Sequence, residues 1–254
     1  MIEKGSGGKM VLTKALEAYG KYFRMIVSIV LPVGIVIGLI LCGISSSEYH
    51  KLDYLLIFNV PGWLLSPLWI GALIYSLSRL ESGQEITYKN AIKHGLKTWW
   101  KLAIIGIIVI GFKFLQLVFG SYSYILSWLY SLSIIFIVMR YIFILPVLTM
   151  ENRGANESLR RSAELSQGKR LSMFFELIGL LVLLYVVKFL LAMLLGWAGN
   201  LLGAMWITQV YFIVILGMIE PVITSLIIVW IYYYYLEQSR STIEQKNTEQ
   251  FEYD

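Results

Sequence analysis

The chain has 254 residues, 58% of them hydrophobic and 15% charged, with a formal net charge of +5 and a mean hydropathy of +0.71. Soluble domains are usually about 45 to 50% apolar, so this composition excludes an ordinary soluble fold and makes lipid the solvent. The positive balance does not point to nucleic acid, because it follows position along the chain: all but four of the 21 Lys and Arg lie in the segments 1–24, 79–101, 151–172 and 237–254.

Between these segments lie three nearly uncharged stretches, each long enough to cross a bilayer twice at about 20 residues per crossing. In chain order the sequence predicts a short N-terminal segment, 1–22, with an amphipathic helix, and then a membrane domain, 23–236. The domain holds spans at about 23–44, 54–80, 102–119, 124–150, 171–195 and 205–236, and a polar tail, 237–254, follows it. Short outer loops fall near Ser47, Tyr122 and Asn200. Two further helices are expected to lie in the interface, at about 87–100 and 156–168. In the first, Lys89, Lys93, Lys97 and Lys101 recur every four residues opposite Tyr88, Ala91, Ile92, Gly95, Trp99 and Trp100. In the second, Leu159, Ala163 and Ser166 oppose Glu157, Arg160, Arg161, Glu164 and Gln167.

The strings beginning at Leu12, Thr87 and Asn156 repeat one plan, an apolar and small helical face followed by bases and a new span. Glu81, Glu151 and Glu237 close the even-numbered spans. Because cytoplasmic loops collect Lys and Arg, both termini are expected inside a bacterial cell membrane, with the ends of the chain, 1–9 and 239–254, flexible. The expected fold class is therefore an all-α integral membrane protein of six transmembrane helices in three hairpins, with cytoplasmic interfacial helices.

Enzymatic motifs are excluded by inventory. The two histidines, His50 and His94, fall on opposite sides of the bilayer, the two aspartates are Asp53 and Asp254 outside it, and Cys42 is the single cysteine. No zinc site, Ser-His triad or nucleotide loop can be written from them, so no catalytic residue, metal or cofactor is expected. The informative residues are instead the charges inside spans: Lys113, Arg140, Lys188 and Glu220. An ionisable group at the centre of a span costs about 2.5 to 3.5 kcal/mol on insertion scales, so each needs water, an interface or a partner. Lys188 and Lys113 are long enough to snorkel. Arg140 cannot lose its charge, and Glu220 is the deep anion within the spans, placed before Pro221. Two readings of an Arg140–Glu220 pair stand: a structural tie between the fourth and sixth spans, or the wall of a polar cavity for a lipid headgroup, peptide or ion. Pro32, Pro61, Pro67, Pro146 and Pro221 all lie inside spans, where kinks could open such a cavity.

The run R-Y-x-F-x-x-P at Arg140, Tyr141, Phe143 and Pro146 is followed by Glu151, Ser158, Leu159, Arg161, Ser162, Leu165, Gly168 and Arg170. With six spans and short basic helices before spans, it resembles a bacterial family related to the membrane domain fused to some glycerophosphodiester phosphodiesterases, and to stand-alone six-span relatives. The resemblance implies a membrane module linked to lipid or envelope processes and implies no reaction, because the phosphodiesterase is a separate soluble barrel that nothing here matches.

The function expected is a non-enzymatic module that binds a lipid-like or hydrophobic ligand or assists a transport or envelope complex. The alternative is a small transporter or permease subunit using the region of Arg140 and Glu220, and an intramembrane enzyme comes last. Expected partners are membrane lipids, with anionic headgroups on the cytoplasmic side held by Lys89, Lys93, Lys97, Lys101, Arg160 and Arg161, and a possible membrane-protein partner.

Overall fold

The computed structural model describes residues 7–45, 51–151, 153–201 and 205–251; the side chains of 7–10, 40–45, 51–61, 205–218 and 243–251, and of single residues including Lys113, fall outside the described set. The expected outer loop at Ser47 and the side chains of Cys42, His50, Lys51 and Asp53 lie outside it too. The described residues are mostly helical, and among them there is no strand. The helices are α1 (Gly7–Lys21), α2 (Phe23–Ser45), α3 (Lys51–Glu81), α4 (Tyr88–Tyr122), α5 (Tyr124–Arg140), α6 (Ile144–Met150), α7 (Ala155–Leu165), α8 (Arg170–Leu201) and α9 (Met205–Phe251).

Among the described residues four stretches are long and apolar enough to cross a membrane: Tyr88–Gln116, Tyr124–Met150, Arg170–Ala198 and Ile219–Thr242. The pair α1 and α2, which meet at 77°, makes a fifth when counted together. Helix α3 adds no such stretch among the described residues, its first eleven side chains, 51–61, falling outside them.

Two expectations change. Residues 87–100 do not form a helix of their own: Tyr88 to Tyr122 is one helix of 35 residues. Good helix formers run unbroken through the junction, and without a stop signal between Trp100 and Leu102 the helix continues. The tail is helical beyond Ser239, α9 running on to Phe251. An established helix extends at one hydrogen bond per residue, and no Pro or Gly follows Pro221 to stop it. The stretch 124–150 keeps its expected bounds as one apolar stretch, Tyr124–Met150, and its helix breaks at Tyr141–Phe143. Pro146 explains the break, because its ring clashes with the carbonyl four residues back, at Ile142, yet fits the first turn of α6.

Tight packing is concentrated at the end of the bundle where the basic segments gather. Fully buried residues include Ile26, Leu73, Leu77, Phe143, Met173 and Trp230, whereas Ile107, Leu126, Val182 and Phe189 on the other half are exposed to the surrounding solvent, which here is lipid. Helix α9 lies at the centre, and its run of tyrosines ties it to three neighbours. Tyr233 donates to Glu81 at the end of α3, Tyr234 reaches Glu176 of α8 at 3.5 Å, and Tyr235 donates to Glu151 after α6 at 2.9 Å. Glu81 and Glu151, read from the sequence only as recurring punctuation, are thus acceptors for the alternate rings Tyr233 and Tyr235. Glu237, the third, lies 3.7 Å from Lys14 of α1.

The closest helix crossing is α3 against α4. A Cβ built on Gly95 would sit 2.4 Å from the Leu68 carbonyl oxygen, and one on Gly71 would sit 2.6 Å from Thr98 Oγ1. Small residues allow this approach, which directs the Lys89, Lys93 and Lys97 edge outward. Two turns need left-handed backbone and carry glycine for it: Gly83 after α3, with φ +72°, and Gly168 after α7, with φ +80°.

Candidate functional site

The expected Arg140–Glu220 pair is not formed. Glu220 of α9 instead accepts from Lys188 of α8 at 2.8 Å, and the side chains are 59% and 30% exposed. The pair sits beside a small pocket with Tyr185, Phe189 and Ile223. Helix rise explains the exchange. Lys188 and Glu220 each lie about 24 Å from the ends near Ser172 and Leu236, whereas Arg140 lies about 15 Å from Met150, so the first two share a depth and the third does not. That comparison was available from the sequence. A transport site uniting Arg140 and Glu220 therefore has no geometry, and the Lys113 side chain lies outside the described residues.

Arg140 ends α5, whose 17 residues rise about 25 Å from Tyr124, most of the roughly 30 Å hydrocarbon core. The negative end of the α5 dipole favours a cation there, and the guanidinium lies 5.5 Å from the Tyr141 ring centroid. The break that Pro146 creates leaves the Arg140 carbonyl without a helical donor, and Ser166 Oγ supplies one at 2.9 Å. That bond docks the turn after α7 against the end of α5. It brings Arg160 and Arg170 to Arg140 around a cleft of about 570 Å³, with Tyr141, Leu159, Glu164 and Gln167.

The charges of this cleft are unequal. Glu164 accepts from Arg160 at 3.0 Å and lies 3.8 Å from Arg161. Arg170 Nε contacts Ser166 Oγ at 3.4 Å, and among the described residues neither Arg140 nor Arg170 is paired with a carboxylate. Arg160 faces out, 84% exposed, but Arg161 turns inward, 16% exposed, towards Glu151 at 3.7 Å. The face of α7 expected to be apolar is also rotated. Its buried residues are Ser158, Ser162, Leu165 and Ser166, packed towards the bundle, while Leu159 and Ala163 line the cleft.

A second cavity, of about 750 Å³, runs beside the first and shares Tyr141 and Leu159 with it. It is a groove between α4 and the α5–α6 pair, walled by Ile104, Ile108 and Phe112 on one side and Ile137, Val138 and Leu145 on the other. At its outer end the hairpin is closed by hydrogen bonds from Gln116 to Ser131 at 3.0 Å and from Tyr130 to the Phe112 carbonyl at 3.0 Å. Its other end meets Lys101, Arg153 and the arginine cleft. Of the expected headgroup residues, Lys89, Lys93 and Lys97 are exposed along α4, and Lys101 lies at the groove, 6.0 Å from the Trp100 ring centroid.

The sequence reading missed Arg170 and Arg153. The signal for Arg170 lay in the string from Glu157 to Arg170, where Gly168 turns the chain back so that residues on both sides of it face one cleft. Among the described residues no group of three or more His, Cys, Asp or Glu is placed to hold a metal.

A family model describing the membrane domain of glycerophosphoryl diester phosphodiesterase matches residues 114–253. That region contains α5 to α9 and all three arginines of the cleft. The matching domain is the membrane part and not the catalytic one. No curated protein and no solved structure matches the chain.

Proposed function

From the chain's membership of the family of the membrane domain of glycerophosphoryl diester phosphodiesterase, shown by a match over residues 114–253, we propose a non-enzymatic membrane module that holds a membrane lipid. The observation that carries the reading is the apolar groove of about 750 Å³ joined at Tyr141 and Leu159 to a cationic cleft. An amphiphile has the same two parts, a chain that leaves water at about 0.8 kcal/mol per CH₂ and a head that stays polar. The module crosses the bilayer six times, through α2, α3, α4, α5–α6, α8 and α9, with both termini on the cytoplasmic side of a bacterial membrane, where the basic segments gather. The groove then opens towards the cytoplasmic leaflet.

Filling the groove tests this. Ile108→Trp combined with Val138→Trp should sharply reduce the lipid that accompanies the protein from membranes, as counted by native mass spectrometry, while thermal stability is retained. An unchanged lipid count in a folded double variant would contradict the proposal.

A further inference from the structure

The arginine cleft gives the head of the ligand a definite chemistry. Three guanidinium groups, Arg140, Arg160 and Arg170, face a space of about 570 Å³ whose lining contains one carboxylate, Glu164. That carboxylate is already shared between Arg160 at 3.0 Å and Arg161 at 3.8 Å. The cleft therefore holds more positive than negative charge, and its one lining carboxylate is already engaged.

We infer that the cleft is a phosphate seat, in which Arg140 and Arg170 hold the phosphate of an anionic phospholipid whose chain lies in the adjoining groove; this rests on the lipid-binding reading of the groove. The guanidinium is a planar fork of donors that matches two phosphate oxygens at once, and a basic pocket between helices at the cytoplasmic face suits such a head. Arg140 comes from the end of α5 and Arg170 from the start of α8, so a phosphate between them bridges two elements that the Ser166 bond has already drawn together. Selectivity follows from Glu164. A choline or ethanolamine head brings a cation that would meet arginines and a carboxylate already shared between two of them, whereas a head with net negative charge is favoured by the excess of three guanidinium groups over Glu164.

The test is a titration of the purified full-length protein in an uncharged maltoside detergent with three probes: short-chain phosphatidylglycerol, short-chain phosphatidylcholine and inorganic phosphate. Phosphatidylglycerol should bind at least tenfold more tightly than phosphatidylcholine, and both more tightly than inorganic phosphate, which lacks the chain. Arg140→Gln with Arg170→Gln should weaken phosphatidylglycerol at least tenfold and erase the preference over phosphatidylcholine, with the charge-conserving Arg140→Lys with Arg170→Lys intermediate. The same pair of glutamine changes made at exposed Lys21 and Arg24 should leave the preference intact. Unchanged phosphatidylglycerol affinity in a folded double-glutamine variant overturns the phosphate seat. If the groove-filled variant still loses lipid in that case, the groove reading survives alone. If neither variant loses lipid, both fail. Inorganic phosphate binding as tightly as the phospholipid would assign the cleft to a free anion and overturn the lipid source.

Discussion

Glu220 shows how one residue's partner is decided by depth rather than by sign of charge. Two cations within spans, Lys188 and Arg140, have described side chains, and the one at matching helix rise takes Glu220, at 2.8 Å. Because the pair is partly exposed, it is not a buried bridge whose loss would be severe. Polar contacts between membrane helices average about 0.6 kcal/mol by double-mutant cycles and reach about 1.7 kcal/mol. A cycle of Lys188→Met and Glu220→Leu should give a coupling in that range, whereas Arg140→Met and Glu220→Leu should be additive. Coupling at the second pair and none at the first would reverse the assignment. The tyrosines of α9 make a second residue-level test. Tyr235 donates to an ionised acceptor, Glu151, at 2.9 Å, so Tyr235→Phe should cost about 1.5 to 3 kcal/mol in thermal unfolding, the range for hydrogen bonds to charged groups. A loss below a few tenths of a kcal/mol would show that Arg153 and Arg161 satisfy Glu151 without it.

At the scale of elements, hydropathy and punctuation were legible where the cause is local. The apolar stretches and the helix within 156–168 follow from short-range chemistry, whereas the break at Tyr141–Phe143 falls inside a stretch expected as one span and has Pro146 as its physical reason. The continuity of α4 and α9 was not legible as read, because an amphipathic face was taken as a reason for a separate helix when nothing in the sequence stops one. The rotated face of α7 was not legible either. A bundle that offers Glu151 and the Arg140 carbonyl as partners buries Arg161 and Ser166 in preference to Leu159. The α3–α4 crossing gives a contrast between two glycines of one helix. Gly95→Ala would place its Cβ against the Leu68 carbonyl, at 2.4 Å, and backbone cannot give way cheaply, so a loss of about 1 to 3 kcal/mol is expected. Gly111→Ala meets no atom within 4 Å and should be neutral or stabilising by up to about 1 kcal/mol. Equal thermal shifts for the two variants would show that the crossing is looser than described.

For the whole molecule, the sequence located Arg140 and Arg160 as candidates but could not assemble the cleft. Its third arginine is supplied by a reversal at Gly168, and its shape depends on a break after Arg140. Topology rests on the distribution of bases alone and has its own check. In a Cys42→Ser background, a cysteine at Ser123, between α4 and α5, should react with an impermeant thiol reagent from outside whole cells, and one at Ser82, in the turn after α3, should not. The opposite pattern would invert the membrane orientation and move the arginine cleft to the outer leaflet.

That the groove between α4 and the α5–α6 pair holds a lipid is tested most directly by photo-cross-linking. A phosphatidylglycerol with a photoreactive group midway along its chain would be incorporated into membranes with the full-length protein, and the labelled peptides mapped. Labelling concentrated at Ile108, Phe112 and Val138, well above that at the exposed α8 residues Val182 and Leu194, and suppressed by Ile108→Trp with Val138→Trp, is the predicted result. Labelling no stronger in the groove than along α8 would mean that the protein meets lipid only as solvent, and would contradict the reading.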